Sequence, residues 1–94
     1  MTGETAGSIK FYGAMWCGDT RRARAWFDDH HVPYEWIDIE VDPAAEAIVK
    51  SLNRGNRSIP TIVFGDGSRL VEPSTGTLEE HARKLGLVDT PPAR

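Results

Sequence analysis

The stretch Ala14-Met15-Trp16-Cys17-Gly18-Asp19-Thr20-Arg21-Arg22-Ala23 holds the only cysteine in a chain of 94 residues. A thiol reacts as its thiolate, and a helix N-terminus stabilises that anion through free backbone N–H groups and the positive end of the helix dipole. Cys17 stands where a helical pattern begins. Arg21, one turn on, and Arg22 add positive potential, while Asp19 partly opposes them. Gly18 leaves the backbone beside the sulfur open to an approaching partner. The competing reading is an inert structural cysteine, since free cysteine is among the most buried residue types. Placement in a loop just ahead of a helix favours the reactive one. Trp16-Cys17-Gly18-Asp19 opens like a Cys-x-x-Cys redox motif, but position 20 is Thr. A single thiol cannot close an internal disulfide.

Pro60 is the second informative residue. Ser58-Ile59-Pro60 follows the loop Arg54-Gly55-Asn56-Arg57 and precedes an apolar run. A cis Ile59–Pro60 bond would turn the chain and leave the Ile59 backbone groups free to pair with an extended ligand. An ordinary trans proline opening a strand is the commoner arrangement, and the residues alone leave both open.

The elements that must position these residues follow from hydrophobic period and punctuation. Ser8 to Gly13 alternates apolar and polar positions and predicts a first strand. Ala14-Met15-Trp16 is a loop. From Cys17 to about His30 the spacing is helical, with Ala23, Trp26, Phe27 and His30 as its apolar stripe. Val32-Pro33 ends that helix. Tyr34 to Val41 predicts a second strand. Asp42-Pro43 caps and opens a second helix, with Glu46 in its first turn. It runs to about Asn53 on an expected stripe of Ala44, Ala47, Ile48 and Leu52, with Gly55 beyond its end. Pro60 to Phe64 is a third strand, Gly65-Asp66-Gly67-Ser68 a hairpin turn, and Arg69 to Val71 a fourth strand. Ser74 or Thr75 caps a last helix over Thr77 to Leu85, with Glu79 and Glu80 expected in its first turn, and Gly86 ends it. The order β-α-β-α-β-β-α implies a mixed four-stranded sheet with helices on both faces. Its natural site is the carboxyl end of the first strand, where Cys17 falls.

Composition narrows the function classes. Hydrophobic residues make up 39% and charged residues 27%, the balance of a folded soluble domain. The net charge of −3 argues against a nucleic-acid surface. No apolar run approaches the ~20 residues of a membrane-spanning helix. Residues 1–7 read as a flexible lead rather than a signal peptide, 8–86 as one domain and 87–94 as a frayed tail. A lone cysteine needs no oxidising compartment, so the cytoplasm is the expected location. His30 and His31 are adjacent and His81 is distant, which does not make a metal site. Asp38, Glu40 and Asp42 read as a solvated acidic edge. Trp26, Phe27 and Trp36 read as core or edge aromatics.

The chain resembles the glutaredoxins, and within them the mycoredoxins of actinobacteria. The carriers are Met15-Trp16-Cys17-Gly18, then Val32-Pro33-Tyr34-Glu35 into Ile37-Asp38-Ile39, then Asn53 to Thr61. Asp66-Gly67-Ser68 and Leu70 to Ser74 complete the set. The resemblance implies a thioredoxin-like α/β fold, a nucleophilic Cys17 and a cis-proline at Pro60. It also implies a groove for a low-molecular-weight thiol, mycothiol first and glutathione behind it, with no tightly bound cofactor. Ile59 would offer backbone hydrogen bonds to that thiol. Ser74 and Thr75 would offer hydroxyl and N–H donors, and Tyr12, Trp16 and Arg57 would form the walls. Partners would be the small thiol and thiolated client proteins, acting on a monomer. Thr20 departs from the family pattern. It removes the dithiol route and leaves the monothiol one, in which its hydroxyl either donates to the thiolate or merely faces the helix surface. Two further readings stand beside this one. Monothiol glutaredoxins that share an iron–sulfur cluster carry Cys-Gly-Phe-Ser and a preceding lysine, which Cys-Gly-Asp-Thr lacks. A non-catalytic thiol-binding or sensing module is the third.

Overall fold

The computed structural model describes residues 8–88, so the expected N-terminal lead over 1–7 and most of the tail lie outside the described residues. Its elements are β1 (Lys10–Gly13), α1 (Gly18–Asp29), β2 (Glu35–Asp38), α2 (Pro43–Leu52), β3 (Thr61–Val63), β4 (Arg69–Val71) and α3 (Thr75–Lys84). The sheet order is β2-β1-β3-β4. β1 runs parallel to β2, with Phe11 opposite Trp36 and Tyr12 opposite Ile37. It runs antiparallel to β3, with Phe11 opposite Ile62, and β3 pairs antiparallel with β4. This is the mixed four-stranded sheet expected from the element order.

Strand alternation divides the apolar residues into two cores. Ile9, Phe11, Ile62 and Phe64 meet Ala23, Trp26 and Phe27 of α1 and Leu78 and Ala82 of α3 on one face. Tyr12 meets Ala45 and Val49 of α2, with Ala14, Ile39 and Ile59, on the other. Phe11 and Phe27 pack edge to face, with ring centroids 5.7 Å apart. Such pairs add about 0.5–1.5 kcal/mol beyond their area.

Several local expectations are corrected. α2 buries Ala45 and Val49, whereas Ala44, Ala47 and Ile48 face solvent and Leu52 is half-buried. Six of its residues besides Pro43 are apolar, so the period alone fits two neighbouring faces, and the sheet selects the one carrying Val49. In α1 the buried row is Thr20, Ala23, Trp26 and Phe27. His30 lies outside it, stacked on Trp26 with centroids 4.2 Å apart. β2 stops at Asp38 because that side chain accepts the Glu40 N–H at 2.8 Å and folds residues 39–41 into a turn. α3 starts two residues early, with Ser74 as its cap, so Glu79 and Glu80 lie beyond the first turn.

All three helices finish in the same way. At the end of α3 the N–H of Leu87 bonds to Ala82 O and that of Gly86 to Arg83 O, a Schellman motif with Gly86 at φ +75. Leu87 and Val88 pack on the first core, so the ordered domain extends past residue 86. At the end of α1 Val32 N–H bonds to Phe27 O, and at the end of α2 Gly55 N–H bonds to Lys50 O. In those two the left-handed position is held by His31 and Arg54, each at φ +57.

Candidate functional site

The site forms where β1 ends and α1 begins. Cys17 is the N-cap of α1 in an extended conformation, and its side chain makes no capping bond. Its N–H donates to Ala14 O at 3.0 Å, which fixes the tight loop over Met15 and Trp16. The side chain is half-buried and packs on the core formed by Tyr12, Ala14, Ile39, Ala45, Val49 and Ile59. A Cβ placed on Gly18 would find only the tip of Arg21, at 3.8 Å, so approach to the sulfur is open on that side.

The neighbouring charges are largely engaged. Arg22 pairs with Asp19 at 2.5 Å. Arg21 donates to Met15 O at 2.7 Å and holds the loop rather than standing free. Thr20 is fully buried. Its Oγ1 accepts from Ala14 N–H at 3.5 Å, and both branches of its side chain lie against Gly13. The position that would carry a second thiol is thus a packing contact between α1 and β1, and the partner of its hydroxyl is backbone rather than Cys17.

Pro60 follows a cis peptide bond from Ile59, as the resemblance implied. Ile59 buries its side chain in the same core as Cys17. Among the described residues its backbone N–H and C=O take no partner. Pro60 O accepts from Glu72 N–H at 2.8 Å, tying the segment before α3 to this loop. Glu72 sits at φ +50, two residues before Ser74. The Ser74 hydroxyl is engaged as the helix cap: it accepts from Thr77 N–H at 3.1 Å and donates to Thr77 Oγ1 at 3.0 Å. Thr75 is the first residue of α3 and is exposed. The donors this helix end offers a ligand are therefore the Thr75 hydroxyl and the backbone N–H groups.

Of the expected walls, Tyr12 is buried in the shared core, and burial raises its pKa above the ordinary tyrosine value. Trp16 is 64% exposed, and its indole donates to Glu40 Oε2 at 3.0 Å. Arg57 Nη2 donates to the same oxygen at 2.5 Å, and Arg57 Nε pairs with Glu46. The hydrogen bonds from Arg57 and then Trp16 hold the Glu40 carboxyl below the usual range. No local pattern in the chain points to this network. Glu40 read as part of a solvated edge, yet it bridges the loop before Cys17 to the loop before Pro60. Its acidic neighbours have local roles, Asp38 closing the turn and Asp42 capping α2 by accepting from Ala45 N–H. A groove of about 580 Å³, with Arg24, Phe27, Tyr34 and Trp36 among its walls, lies against the C-terminal half of α1 and includes none of the Cys17, Ile59 or Pro60 side chains.

A mixed sheet of this order, with a half-buried cysteine capping the first helix beside a cis-proline loop, defines a thioredoxin-like α/β protein. The glutaredoxin family model matches residues 9–68. A Mycobacterium tuberculosis protein named as a glutaredoxin is 35% identical over 78 residues, 83% of this chain and 93% of that one. Mycoredoxin 1 of Corynebacterium glutamicum is 33% identical over 66 residues, 70% of this chain and 81% of its own. The structure of a buckwheat glutaredoxin–glutathione complex superposes with a TM-score of 0.65 at 21% identity, over 88% of this chain and 74% of that one. The chain belongs to the glutaredoxin family, mycoredoxin-like in its relatives, and its family chemistry is thiol–disulfide exchange with small thiols.

Proposed function

We propose that this protein is a monothiol oxidoreductase that removes a low-molecular-weight thiol from client proteins through Cys17. The observation that carries this reading is the pairing of one cysteine at the N-cap of α1 with a buried Thr20 where a resolving thiol would stand. The Cys17 thiolate attacks the small-thiol sulfur of a mixed disulfide. A new disulfide joins Cys17 to the small thiol, and the client leaves as a thiolate that takes up a proton. A second small thiol, as thiolate, then attacks that small-thiol sulfur, releasing the oxidised small-thiol disulfide and free Cys17. The cycle needs no second protein thiol: one free small thiol is consumed per client, and it leaves as a disulfide with the small thiol taken from that client. The unpartnered Ile59 backbone supports binding of the peptide-like part of that thiol, and the α3 N-terminus after Ser74 supports a polar group. Mycothiol is the preferred co-substrate on the strength of the mycoredoxin relative, with glutathione second.

Mass spectrometry after treatment with oxidised mycothiol, and separately with oxidised glutathione, tests the reading. One adduct on Cys17, removed by free thiol and absent in Cys17→Ser, is expected. Failure of both disulfides to modify Cys17 would sink it.

A further inference from the structure

Met15 stands two residues before Cys17 and is 47% exposed. It lines a groove of about 300 Å³ together with Arg21, Arg24, Ala25 and Asp28. Two arginines of α1 hold it. Arg21 Nη1 donates to Met15 O at 2.7 Å, and Arg24 Nη1 donates to Met15 Sδ. Arg24 is itself fixed from two further sides. Its Nε donates to the Tyr34 hydroxyl at 3.1 Å, and that hydroxyl donates to Asp28 Oδ1 at 3.1 Å. Its guanidinium also lies over the Trp36 ring, 4.1 Å from the centroid. A well-placed cationic donor thus meets a thioether, one of the weakest acceptors among the side chains. The mismatch disappears once the sulfur carries an oxygen.

We propose that Met15 is a modification site for hydrogen peroxide, and that Arg24 receives its sulfoxide and so fastens the loop before Cys17 to α1. The sulfur attacks one peroxide oxygen. An S–O bond forms and the O–O bond breaks. The departing hydroxide takes the proton of the transferred hydroxyl and leaves as water. The sulfur is oxidised by two electrons and the peroxide is reduced by the same two. A sulfoxide oxygen is a strong acceptor, and its bond from a guanidinium is charge-assisted. The unbranched methionine side chain has the freedom to turn this oxygen to Arg24. Because Met15 is exposed, oxidation places no new polar atom in either core. The lost packing that this lesion causes in a core is replaced here by a gained contact. Residues 14–17 are already closed by the Cys17 N–H on Ala14 O, so a firmer Met15 holds the turn that presents Cys17. None of this depends on which small thiol Cys17 exchanges.

The test caps Cys17 as a methyl disulfide, treats the protein with hydrogen peroxide, and removes the cap with dithiothreitol, which leaves a sulfoxide in place. Peptide mass spectrometry is expected to find one added oxygen on Met15. Thermal melts before and after oxidation are then compared for wild type, Arg24→Gln and Arg24→Leu. Met15→Leu, in which Met1 is the remaining methionine, sets the baseline. Each protein is compared with its own unoxidised form, so the cost of removing Arg24 itself cancels, and Arg24→Gln decides the matter if Arg24→Leu does not fold. The shift on oxidation is expected to be more favourable in wild type than in the Arg24 variants by roughly 4–8 °C, the scale of one net hydrogen bond in a domain of this size. Treatment with methionine sulfoxide reductases should abolish that difference. Met15 left unmodified under conditions that oxidise Met1 overturns the modification site. Equal shifts with and without Arg24 overturn its part in receiving the sulfoxide.

Discussion

Replacing Gly13 by Ala tests whether α1 is positioned by its contact with the end of β1. A Cβ at Gly13 would lie 2.8 Å from both Thr20 Cγ2 and Thr20 Oγ1, and 3.2 Å from Trp36 Cζ3. Carbon contacts are most favourable near ~3.5–4.0 Å, so α1, the sheet or the Trp36 ring must give way. Overpacking of this kind costs about 1–3 kcal/mol. Taking ~2 kcal/mol, and about 4–8 °C per kcal/mol for a domain of this size, the melting temperature falls by roughly 8–16 °C. Thr20→Ala alone loses a buried methyl group and leaves the Ala14 N–H without its acceptor, together about 1–2 kcal/mol. Simple addition would put the double variant about 3–4 kcal/mol below wild type. The geometry says otherwise, because Thr20→Ala removes both atoms that meet the new Cβ at 2.8 Å. The double variant should be no less stable than Gly13→Ala, a coupling of at least about 1 kcal/mol. Urea unfolding of the four proteins measures it, provided the m-values agree. Cys17 adduct rates give a second readout, falling in Gly13→Ala and recovering in the double variant. Additivity within about 0.5 kcal/mol would refute the contact as the positioning element.

Three further outcomes follow from the helix ends and the hairpin. His31→Gly and Arg54→Gly each relieve a left-handed residue at φ +57 and should stabilise by about 0.5–1 kcal/mol once the greater freedom of unfolded glycine is set against the relief. Gly86→Ala, at φ +75, should destabilise by about 1 kcal/mol. Thermal melts that move the other way would refute the assignment of these positions as helix stops. Asp66 accepts from the Ser68 hydroxyl at 2.6 Å and the Ser68 N–H at 2.9 Å, which hold its carboxyl below the usual value. Its stabilisation is therefore complete above the unfolded value of about 3.9 and lost as the pH falls through the lower folded one. Asp66→Asn should be less stable than wild type at neutral pH, with the gap closing in acid. A gap independent of pH in urea titrations would contradict this.

Much of the fold was legible because its elements carry clean punctuation. Asp42-Pro43 marks a helix start, Gly86 a stop and Gly65-Asp66-Gly67-Ser68 a turn, and each falls where the structure has it. The face of α2 was not legible, since Ala44, Ala45, Ala47, Ile48 and Val49 permit more than one apolar stripe until a sheet is placed beneath them. Thr20 could have been found, because it stands three residues before Ala23 and seven before Phe27 on one helical row. Glu40 could not. Its partners Trp16 and Arg57 are 24 and 17 residues away in the chain, and no local rule joins them. Cys17 itself was readable from type and position, since a helix start is a local signal and its neighbours Ala14 and Gly18 lie within three residues of it.

The exposed indole at Trp16 gives the protein a built-in optical probe. Trp26 lies in the core and Trp36 is half-covered, whereas Trp16 stands in water one residue from Cys17 with its N–H on Glu40. A soluble quencher therefore reaches this indole first. A small thiol joined to Cys17 would shade it, and its departure would expose it again. Each half of the exchange would then appear as a change in emission from the unlabelled chain, so that the two steps can be timed separately in a stopped-flow cell.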